Sequence, residues 1–531
     1  MLSIINLTIL FLWIISALSD YIDFAYIWQL KEYRLDRFKD LMGTEQGRLI
    51  RHKYNVLWRS VLAILFFFWP LNEVVIIKYF IIAFLLGDIF YLIYRRKSKT
   101  FRRPKFTKKA ILIIISVMLL EGGMFILKHD WVALIILLVA RFFLIAGVVY
   151  VFNIFTNVLK KIIIKKATRK LKTYKNLKVI GITGSYGKTT VKKFLDHMLS
   201  QKFKVVSTPR NINTEIGVAN FILKTNFSDK EIFIVEMGAY TEGDIKLICD
   251  MVKPTIGILT AINEQHISLF GDIRKTQKTK YELLRSLPKD GLAITNMDNK
   301  YCIEFLDELD CQVATFGMDE SLDPTIFVKD IQKSKNGAIY TIKLKDREEA
   351  VVESNMRGSY NVTNVMPCVL VASYLKIDRE TIIESTKNLP QTIKILQYGN
   401  CKIIDDSYNS NPDGFKAKLD YMNNFKTEKR RIIITRGMLE LGDKSDEIHE
   451  TMAGEIAYAT DELVITRPDF VKPLKKGAVG LKYHLDIKTI FESNKLLKYI
   501  KELKNTNSVI LLENKMPSIV MNEIINNSKE I

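Results

Sequence analysis

Cysteine is scarce in this 531-residue sequence, and the way it is distributed argues against two kinds of site. Cys249, Cys302, Cys311, Cys368 and Cys401 form no CxxC pair or other metal-ligand spacing, and nothing else in the sequence indicates an oxidising compartment. No Ser/His/Asp or Cys/His arrangement typical of nucleophilic catalysis is apparent either. We therefore expect the cysteines to be reduced and structural.

Acidic residues are fewer than basic ones: the sequence has 58 Asp and Glu and 78 Lys and Arg, which gives a formal charge of +20. Such a surplus is typical of proteins that bind nucleic acid or anionic lipid. Many of the basic residues lie beside long apolar runs in the first 155 residues, where lipid head groups would attract them. The composition favours membrane lipids as partners and no nucleic acid.

The apolar runs predict a multi-pass membrane region. Residues 2–19 lack both a basic start and a small-residue cleavage site, which favours a retained transmembrane helix over a removed signal peptide. Four further runs approach the ~20 residues that a bilayer requires, at 56–71, 74–94, 110–127 and 131–155. The run at 56–71 is short and contains Arg59, so we expect four or five spans.

Basic residues predict the orientation of these spans, since Lys and Arg accumulate in loops on the cytoplasmic side. The basic segments are residues 31–53, 95–109 and 160–172. Five spans with the N-terminus outside place all three segments in the cytoplasm. Everything after residue 160 is then cytoplasmic too.

After the last basic segment, the pattern changes to strand, glycine-rich loop and helix. VIGIT at Val179–Thr183 predicts a strand, GSYGKTT follows, and residues 191–199 predict an amphipathic helix. Backbone N–H groups of such a loop surround phosphate oxygens, with Lys188 at the terminal phosphates and the Thr189 hydroxyl on Mg²⁺. The loop is not a strict Walker A, because Ile182 stands at its first glycine position. A nucleotide site is predicted, with these contacts: Gly184, Ser185, Gly187, Lys188, Thr189 and Thr190.

GITGSYGKTT is the form that this loop takes in the Mur ligases, and the order of the later motifs resembles that family, its MurF branch above all. The resemblance runs from about residue 176 to the C-terminus. It implies a central P-loop domain with a mostly parallel sheet, followed by a Rossmann-like α/β domain. It also implies a ligase that uses ATP and two Mg²⁺ ions.

Several residues of the middle region receive roles from this resemblance. NTEIGVANFIL resembles the segment that lines the substrate side, which implies substrate contacts by Asn213 and Thr214. EMGAYTEGDI follows a predicted strand, Ile232–Glu236, and a carboxylate at the carboxyl end of a parallel strand suits a phosphate-bound metal ion. Glu236 is thus expected to bind Mg²⁺. AINEQHISLFG resembles the pattern in which a histidine, here His266, binds a second metal ion.

The predicted helix at residues 273–284 carries a lysine that the resemblance makes chemically important. Lys280 matches the lysine that is carbamylated in many Mur ligases and bridges the metal ions, and Lys278 is a nearby competitor. Together with Lys188 and His266, Lys280 is expected to be catalytic. Farther along, Asn296 and Asn299 resemble the pair that contacts adenine.

IIDDSYNSNP, at residues 403–412, is the most MurF-like string in the chain. The resemblance places Asp406 on the ribose hydroxyls and Asn409 and Asn411 beside the incoming amine. GMLELG, at residues 437–442, with His449 downstream, resembles another motif of the same branch. Predicted strands at 462–466 and 508–513 indicate a small doubly wound domain.

Three departures from the family pattern bear on the substrate. The domain that binds a UDP-linked precursor should precede the phosphate loop, where this chain has membrane spans. LPQTIKIL, at residues 389–396, lacks the usual arginine, and the last strand ends in LLENKMP instead of K-[GA]-S-R. We expect an acceptor held at the membrane, such as a lipid-linked or glycan-linked peptide, and an amino acid or dipeptide as amine.

We divide the chain into a transmembrane region (1–158), a basic linker (159–175), a central ATP-binding domain (176–388) and a C-terminal domain (389–531). The sequence predicts a bacterial membrane-anchored ligase that activates a carboxylate as an acyl phosphate for cell-envelope synthesis. Three alternatives stay open. They are a P-loop transport or signalling ATPase, a membrane poly-γ-glutamate synthase and an inactive Mur-like scaffold.

Overall fold

The computed structural model divides the chain into two compact units, Met1–Lys161 and Ile162–Ile531. The structure describes residues 4–43, 74–97, 103–128, 131–263, 272–334, 337–344, 349–356, 361–391, 393–407, 412–425, 430–439, 441 and 444–530.

The first unit is helical in its described residues. Its helices are α1 (Ile4–Leu30), α2 (Leu35–Gly43), α3 (Val74–Lys97), α4 (Lys108–Lys128) and α5 (Trp131–Leu171), of which α5 continues into the second unit. α1 packs against α3 and α4. The fully buried Arg141 forms ion pairs with Asp20 at 2.9 Å and Glu121 at 3.0 Å, which satisfies charges that would otherwise oppose burial.

Two helices among the described residues are long and apolar enough to cross a membrane, Ile4–Leu30 and Ala140–Leu171. This rests on length and composition alone. Helices also cover the predicted runs at 74–94 and 110–127, whereas the run at 56–71 lies outside the described residues. The first helix was predicted to end at residue 19, and that end was wrong, because α1 continues to Leu30.

The second unit begins with the end of α5, where Ala167 and Leu171 are buried in its core. Lys170 donates hydrogen bonds to the carbonyl oxygens of Leu223 at 2.9 Å and Thr225 at 2.7 Å. Most of the segment predicted to be a basic linker is helical, and its last turns belong to the second unit.

The middle part of this unit contains a nine-stranded sheet with the order β2-β3-β1-β4-β5-β6-β7-β8-β9. β1 to β7 are parallel to their neighbours, while β8 and β9 are antiparallel. The strands are β1 (Lys178–Thr183), β2 (Val205–Ser207), β3 (Ile232–Glu236), β4 (Ile256–Leu259), β5 (Leu292–Asn296), β6 (Gln312–Gly317), β7 (Ile326–Lys333), β8 (Ala338–Leu344) and β9 (Ala350–Ser354).

Helices cover both faces of this sheet, as its uninterrupted apolar strands require. They are α6 (Lys188–Leu199), α7 (Glu215–Lys224), α8 (Asp244–Val252), α9 (Ile273–Arg285), α10 (Lys300–Ile303), α11 (Val362–Tyr374) and α12 (Arg379–Lys387). β1 lies between β3 and β4, so the loop after β1 emerges at the carboxyl edge, where ligands bind in doubly wound sheets.

The C-terminal part contains a seven-stranded sheet with the order β14-β13-β12-β15-β11-β10-β16, in which the five strands from β14 to β11 are parallel. The strands are β10 (Lys394–Tyr398), β11 (Cys401–Asp406), β12 (Arg430–Thr435), β13 (Glu462–Ile465), β14 (Asp486–Thr489), β15 (Ser508–Glu513) and β16 (Lys529–Glu530). The helices are α13 (Pro412–Met422), α14 (Ser445–Ala459), α15 (Val471–Gly477), α16 (Ser493–Leu503) and α17 (Ser518–Asn526). The predicted α/β class of both ligase domains is confirmed.

Candidate active site

The loop between β1 and α6 has a backbone that only glycine tolerates at two positions. Gly184 and Gly187 have φ angles of +150° and +81°. A Cβ atom on Gly184 would lie 2.0 Å from the Thr260 hydroxyl, and one on Gly187 would lie 2.6 Å from Oδ1 of Asn364. Any other residue at these two positions would have a strained backbone and a Cβ atom too close to its neighbours. The loop curves at the start of α6, which is the shape of a phosphate-binding loop.

Lys188, the first residue of α6, folds back over this loop. Its ammonium donates to the carbonyl oxygen of Gly184 and, at 3.3 Å, to that of Ser185. Burial lowers the pKa of Lys188, while the nearby Glu236 carboxylate opposes that shift. The lysine therefore lies within the concave loop, where a phosphate would supply the missing negative charge.

Glu236 ends β3 beside the loop and is 2% exposed. The Thr189 hydroxyl donates to its oxygens at 3.0 and 3.1 Å, and the Asn213 amide donates at 3.2 Å. The Lys192 ammonium lies 2.8 Å from Oε2. Burial alone would raise the pKa of this carboxyl group, but Lys192 and Lys188 hold it below its ordinary value. Glu236 is therefore ionised at neutral pH.

Lys280 lies on α9 with 4% of its surface exposed, and it lines the same cleft. Burial, followed by repulsion from Lys188, lowers its pKa well below the usual value. Burial thus shifts this amine towards its uncharged form. Its competitor, Lys278, is exposed on the opposite side of α9, so the burial pattern favours Lys280.

Two asparagines support the loops that follow β4. The Asn296 amide donates to the Thr260 carbonyl oxygen at 3.1 Å, and the Asn299 amide donates to that of Ile262 at 3.0 Å. Both residues line the cleft. Their predicted contact with adenine thus stays a prediction, to which the structure adds a loop-bracing role.

The cleft has a volume of about 800 Å³ and is lined by both domains of the second unit. From the C-terminal domain it receives Asp406, at the end of β11, and Lys418 of α13, whose ammonium lies 2.6 Å from Oδ2 of Asp406. Burial raises the pKa of Asp406, and Lys418 opposes the rise. The structure thus brings Asp406 to the same cleft as the phosphate loop.

Some predicted residues are not placed in the cleft. His266, Asn409 and Asn411 lie outside the described residues. Thr214 caps the N-terminus of α7 by accepting from the Gly217 N–H at 3.3 Å, and it is not among the described residues that line the cleft. Within the described part of the chain, no three His, Cys, Asp or Glu side chains form a cluster that could hold a metal ion without other ligands.

The sequence interpretation missed Lys192, which is 4% exposed and forms the buried ion pair with Glu236. Its spacing of four residues from Lys188 places both lysines on one face of α6, and that signal could have identified it. Thr260 was missed as well. Its hydroxyl donates to the Tyr186 carbonyl oxygen and so closes the back of the loop.

His449 has a structural environment. Its Nε2 accepts from the Met438 N–H at 3.0 Å, its Nδ1 lies 2.6 Å from the Ser445 carbonyl oxygen, and its ring stacks on Phe470. Burial lowers the pKa of this imidazole, which is therefore neutral at pH 7. Its role is to hold the loop at Gly437 in place.

Comparison with known proteins gives two sequence matches. Residues 182–372 match the Mur ligase middle domain, and residues 393–513 match the Mur ligase glutamate ligase domain. The UDP-N-acetylmuramoyl-tripeptide--D-alanyl-D-alanine ligase of Bacillus subtilis is 26% identical over 340 residues, which cover 63% of this chain and 72% of that protein. The Synechocystis enzyme of the same name is 29% identical over 296 residues, or 55% of this chain and 62% of that protein.

Solved structures share the fold. MurF from Acinetobacter baumannii aligns with a TM-score of 0.61 at 22% identity, covering 69% of this chain and 80% of that one. The MurF ligase of Thermotoga maritima in complex with ADP aligns with a TM-score of 0.57 at 22% identity, covering 69% and 82%. Because the two domain matches follow each other as the two sheets do, the chain belongs to the Mur ligase family of ATP-dependent, ADP-forming amide ligases.

Proposed function

We propose that this chain is a membrane-anchored, MurF-like ligase that joins a carboxylate to an amine in the synthesis of peptidoglycan or a related cell-envelope precursor. One observation carries the proposal. A single cleft gathers Lys188, Glu236 and Lys280 from the middle domain and Asp406 from the C-terminal domain. The sequence relatives are named for the ligation of D-alanyl-D-alanine to a UDP-muramoyl tripeptide.

The reaction in this cleft is proposed to pass through an acyl phosphate. A carboxylate oxygen attacks the γ-phosphorus of ATP and ADP leaves; the amine nitrogen then attacks the carbonyl carbon, loses a proton, and expels phosphate. Such a transfer depends on positioning and charge neutralisation, for which Lys188 is suited. Because ATP contacts are divided between two domains, closure of the cleft would complete the site.

Magnesium is implied by the family, and the residues present fit it. Thr189 and Glu236 offer a hydroxyl and an ionised carboxylate within hydrogen-bond distance of each other, the hard oxygen donors that Mg²⁺ prefers. These two residues would hold the ion, which neutralises phosphate charge when bound. Lys192 would keep the Glu236 carboxylate ionised and oriented when no ion is bound.

Lys280 fits the proposed carbamylation, because a buried, uncharged amine is the form that reacts with CO₂. The product is an anionic carbamate suited to binding cations. Nuclear magnetic resonance of the protein in ¹³C-bicarbonate should show a carbamate signal that Lys280→Ala removes. The exposed Lys278 provides the control, since Lys278→Ala should retain the signal. A signal that survives Lys280→Ala would refute the assignment.

The acceptor is proposed to be lipid-linked or otherwise held at the membrane. Apolar helices stand where the family pattern places a UDP-binding domain, and α5 exposes large apolar side chains, including Phe155 and Leu159. Four or five spans and a cytoplasmic ligase part remain predictions. Retention of the chain in membranes after washing with alkaline carbonate is expected, and its release would contradict the anchor.

The activity is tested by ADP release from the purified chain. Release should require both a carboxylate and an amine, and Lys188→Ala should reduce it by about 10³-fold or more, as loss of a phosphate-binding charge does. Lys246→Ala, on an exposed lysine of α8, is the control and should have no effect. ADP release without either substrate would indicate a simple ATPase, and no release with any pair would favour a scaffold.

The substrate is identified by mass spectrometry of lipid-linked and soluble cell-wall precursors from cells with the wild-type chain or Lys188→Ala. Accumulation of a membrane-bound carboxylate precursor is expected in the variant. A fragment of residues 162–531 that turns over a UDP-linked peptide with ordinary affinity would count against a membrane-held acceptor.

A further inference from the structure

Two carboxyl groups lie side by side at the carboxyl edge of the C-terminal sheet. Asp406 ends β11 and Glu513 ends β15, and they are register partners on these adjacent parallel strands. Glu513 is completely buried. Its Oε2 accepts from the Thr435 hydroxyl, whereas its Oε1 has no hydrogen-bond partner in the described part of the chain. Two neighbouring buried carboxyl groups cannot both be ionised without a counter-charge.

Lys418 supplies one counter-charge from α13. Its ammonium lies 2.6 Å from Oδ2 of Asp406 and is also within 3.2 Å of the Gly414 carbonyl oxygen on the same helix. The side chains of Lys418 and Asp406 are only 19% and 16% exposed, so water screens this pair weakly. Asp406 is thus matched to a cation, while Glu513 is not.

Other charged residues in the described part of the chain also influence this pair. Asp405 raises the pKa of Asp406, and Arg210 lowers it. The pKa of Glu513 is raised by Asp406 and lowered by Lys418 and Arg436. Burial raises the pKa of Glu513 to about 8. Glu513 therefore carries its proton at neutral pH. Among Glu513, Asp406 and Lys418, the negative charge is then on Asp406 and the positive charge on Lys418.

The strand end at Glu513 also departs from the pattern of the resemblance. The family pattern ends this strand with K-[GA]-S-R, whereas this chain has LLENKMP. Asn514 has a φ of +63° and occupies the place of the small residue, which aligns Glu513 with the lysine of the pattern. This strand therefore places a carboxyl group, and not an ammonium group, beside Asp406, and α13 presents an ammonium group to the same carboxylate.

We propose that Lys418 is the positioning residue of this nucleotide site: its ion pair keeps Asp406 ionised and directed into the cleft, where Asp406 accepts hydrogen bonds from the ribose hydroxyls. Glu513 remains neutral and does not compete for the ammonium group. This inference rests on the proposed function, because it takes Asp406 to be the ribose contact.

The test compares binding of ATP and 2′,3′-dideoxy-ATP to the purified full-length chain. The wild type should bind ATP more tightly than the dideoxy analogue. Lys418→Met should weaken ATP binding about tenfold at pH 7 and leave the analogue unaffected, while Lys418→Arg should retain discrimination. Lys416→Met is the matched control, because Lys416 lies on the same helix in an exposed pair with Glu455.

The pH dependence separates a charge effect from a packing effect. Without Lys418, burial and Asp405 raise the pKa of Asp406 and Arg210 opposes them, so the pKa rises further and the protonated form gains population at neutral pH. ATP affinity of Lys418→Met should therefore recover as the pH rises from 6.5 to 8.5. Adding Glu513→Lys to Lys418→Met should restore binding at pH 7, since the register partner of Asp406 then supplies an ammonium group.

Three results would overturn the inference: equal weakening of both nucleotides, no rescue by Glu513→Lys, or no discrimination by the wild type. If Lys418→Met fails to fold, Glu513→Gln tests whether Glu513 is neutral. A neutral amide should leave ATP binding unchanged, and a tenfold loss of ATP affinity would contradict a neutral Glu513. Absence of ribose discrimination in a chain that still releases ADP with both substrates would refute this inference alone. Absence of substrate-dependent ADP release would refute the proposed function alone.

Discussion

Replacing Lys192 with methionine tests whether charge holds the central carboxylate of the cleft. Lys192 and Glu236 are 4% and 2% exposed, and their charged atoms are 2.8 Å apart. Removal of one partner of a buried pair costs about 3–5 kcal/mol, because the other charge is left buried. Thr189 and Asn213 continue to donate hydrogen bonds to Glu236, so we expect a loss near 3 kcal/mol at pH 8.

The loss should depend on pH in a definite direction. The depressed pKa of Glu236 in the native chain means that the pair stabilises the fold above the unfolded pKa of about 4.3 and that this contribution disappears as the pH falls through the folded pKa. Without Lys192, burial raises the pKa of Glu236, which then takes up a proton on mild acidification. The destabilisation by Lys192→Met should therefore be smaller at pH 5 than at pH 8.

Urea unfolding followed by circular dichroism measures this effect. Tryptophan fluorescence would not, because all five tryptophans precede residue 132. Lys246→Met is the control, since its pair with Asp250 is half-exposed and should contribute at most about 1 kcal/mol. A loss below about 1 kcal/mol for Lys192→Met, or one that does not change with pH, would refute the reasoning.

Two further predictions concern the loop and the domain boundary. Gly187→Ala should lower the free energy of unfolding by about 1–2 kcal/mol because of the positive φ at this position. It should also weaken ATP binding in a titration with the nucleotide, because the new Cβ displaces Asn364. Gly243→Ala is the control: its φ is equally strained, but the space around it is open, so ATP binding should be unchanged. A fragment of residues 162–531 should be more stable than one of residues 176–531 by about 3 kcal/mol, because the shorter fragment lacks the buried Leu171 and the hydrogen bonds of Lys170. Thermal unfolding should therefore show a higher midpoint for the longer fragment, and equal midpoints would contradict this.

Strands of the ligase domains could be predicted closely from the sequence. Ile232–Glu236 and Ser508–Glu513 were confirmed with the predicted bounds, because a short run of branched apolar residues between polar ones has few alternatives to a buried parallel strand. The glycine-rich loop lies between a strand and a helix as predicted, and its glycines have positive φ angles.

Features that depend on tertiary partners could not be predicted. The first helix was ended too early because Asp20 interrupts the apolar run, yet Asp20 pairs with Arg141 and the helix continues. Helix α5 was divided at its basic residues because the burial of Leu171 depends on strands that come later in the sequence. The partner of Lys192 is Glu236, which lies 44 residues later on another element, so the local sequence does not reveal this pair.

Ligation through an acyl phosphate can be tested with an acceptor whose carboxylate carries ¹⁸O in both oxygens. The acyl phosphate retains one carboxylate oxygen as the bridge to phosphorus, and attack by the amine leaves that oxygen on the released phosphate. Inorganic phosphate from the complete reaction should therefore contain one ¹⁸O atom per turnover, and Lys188→Ala should release none. Phosphate that is free of ¹⁸O while amide product accumulates would contradict the account.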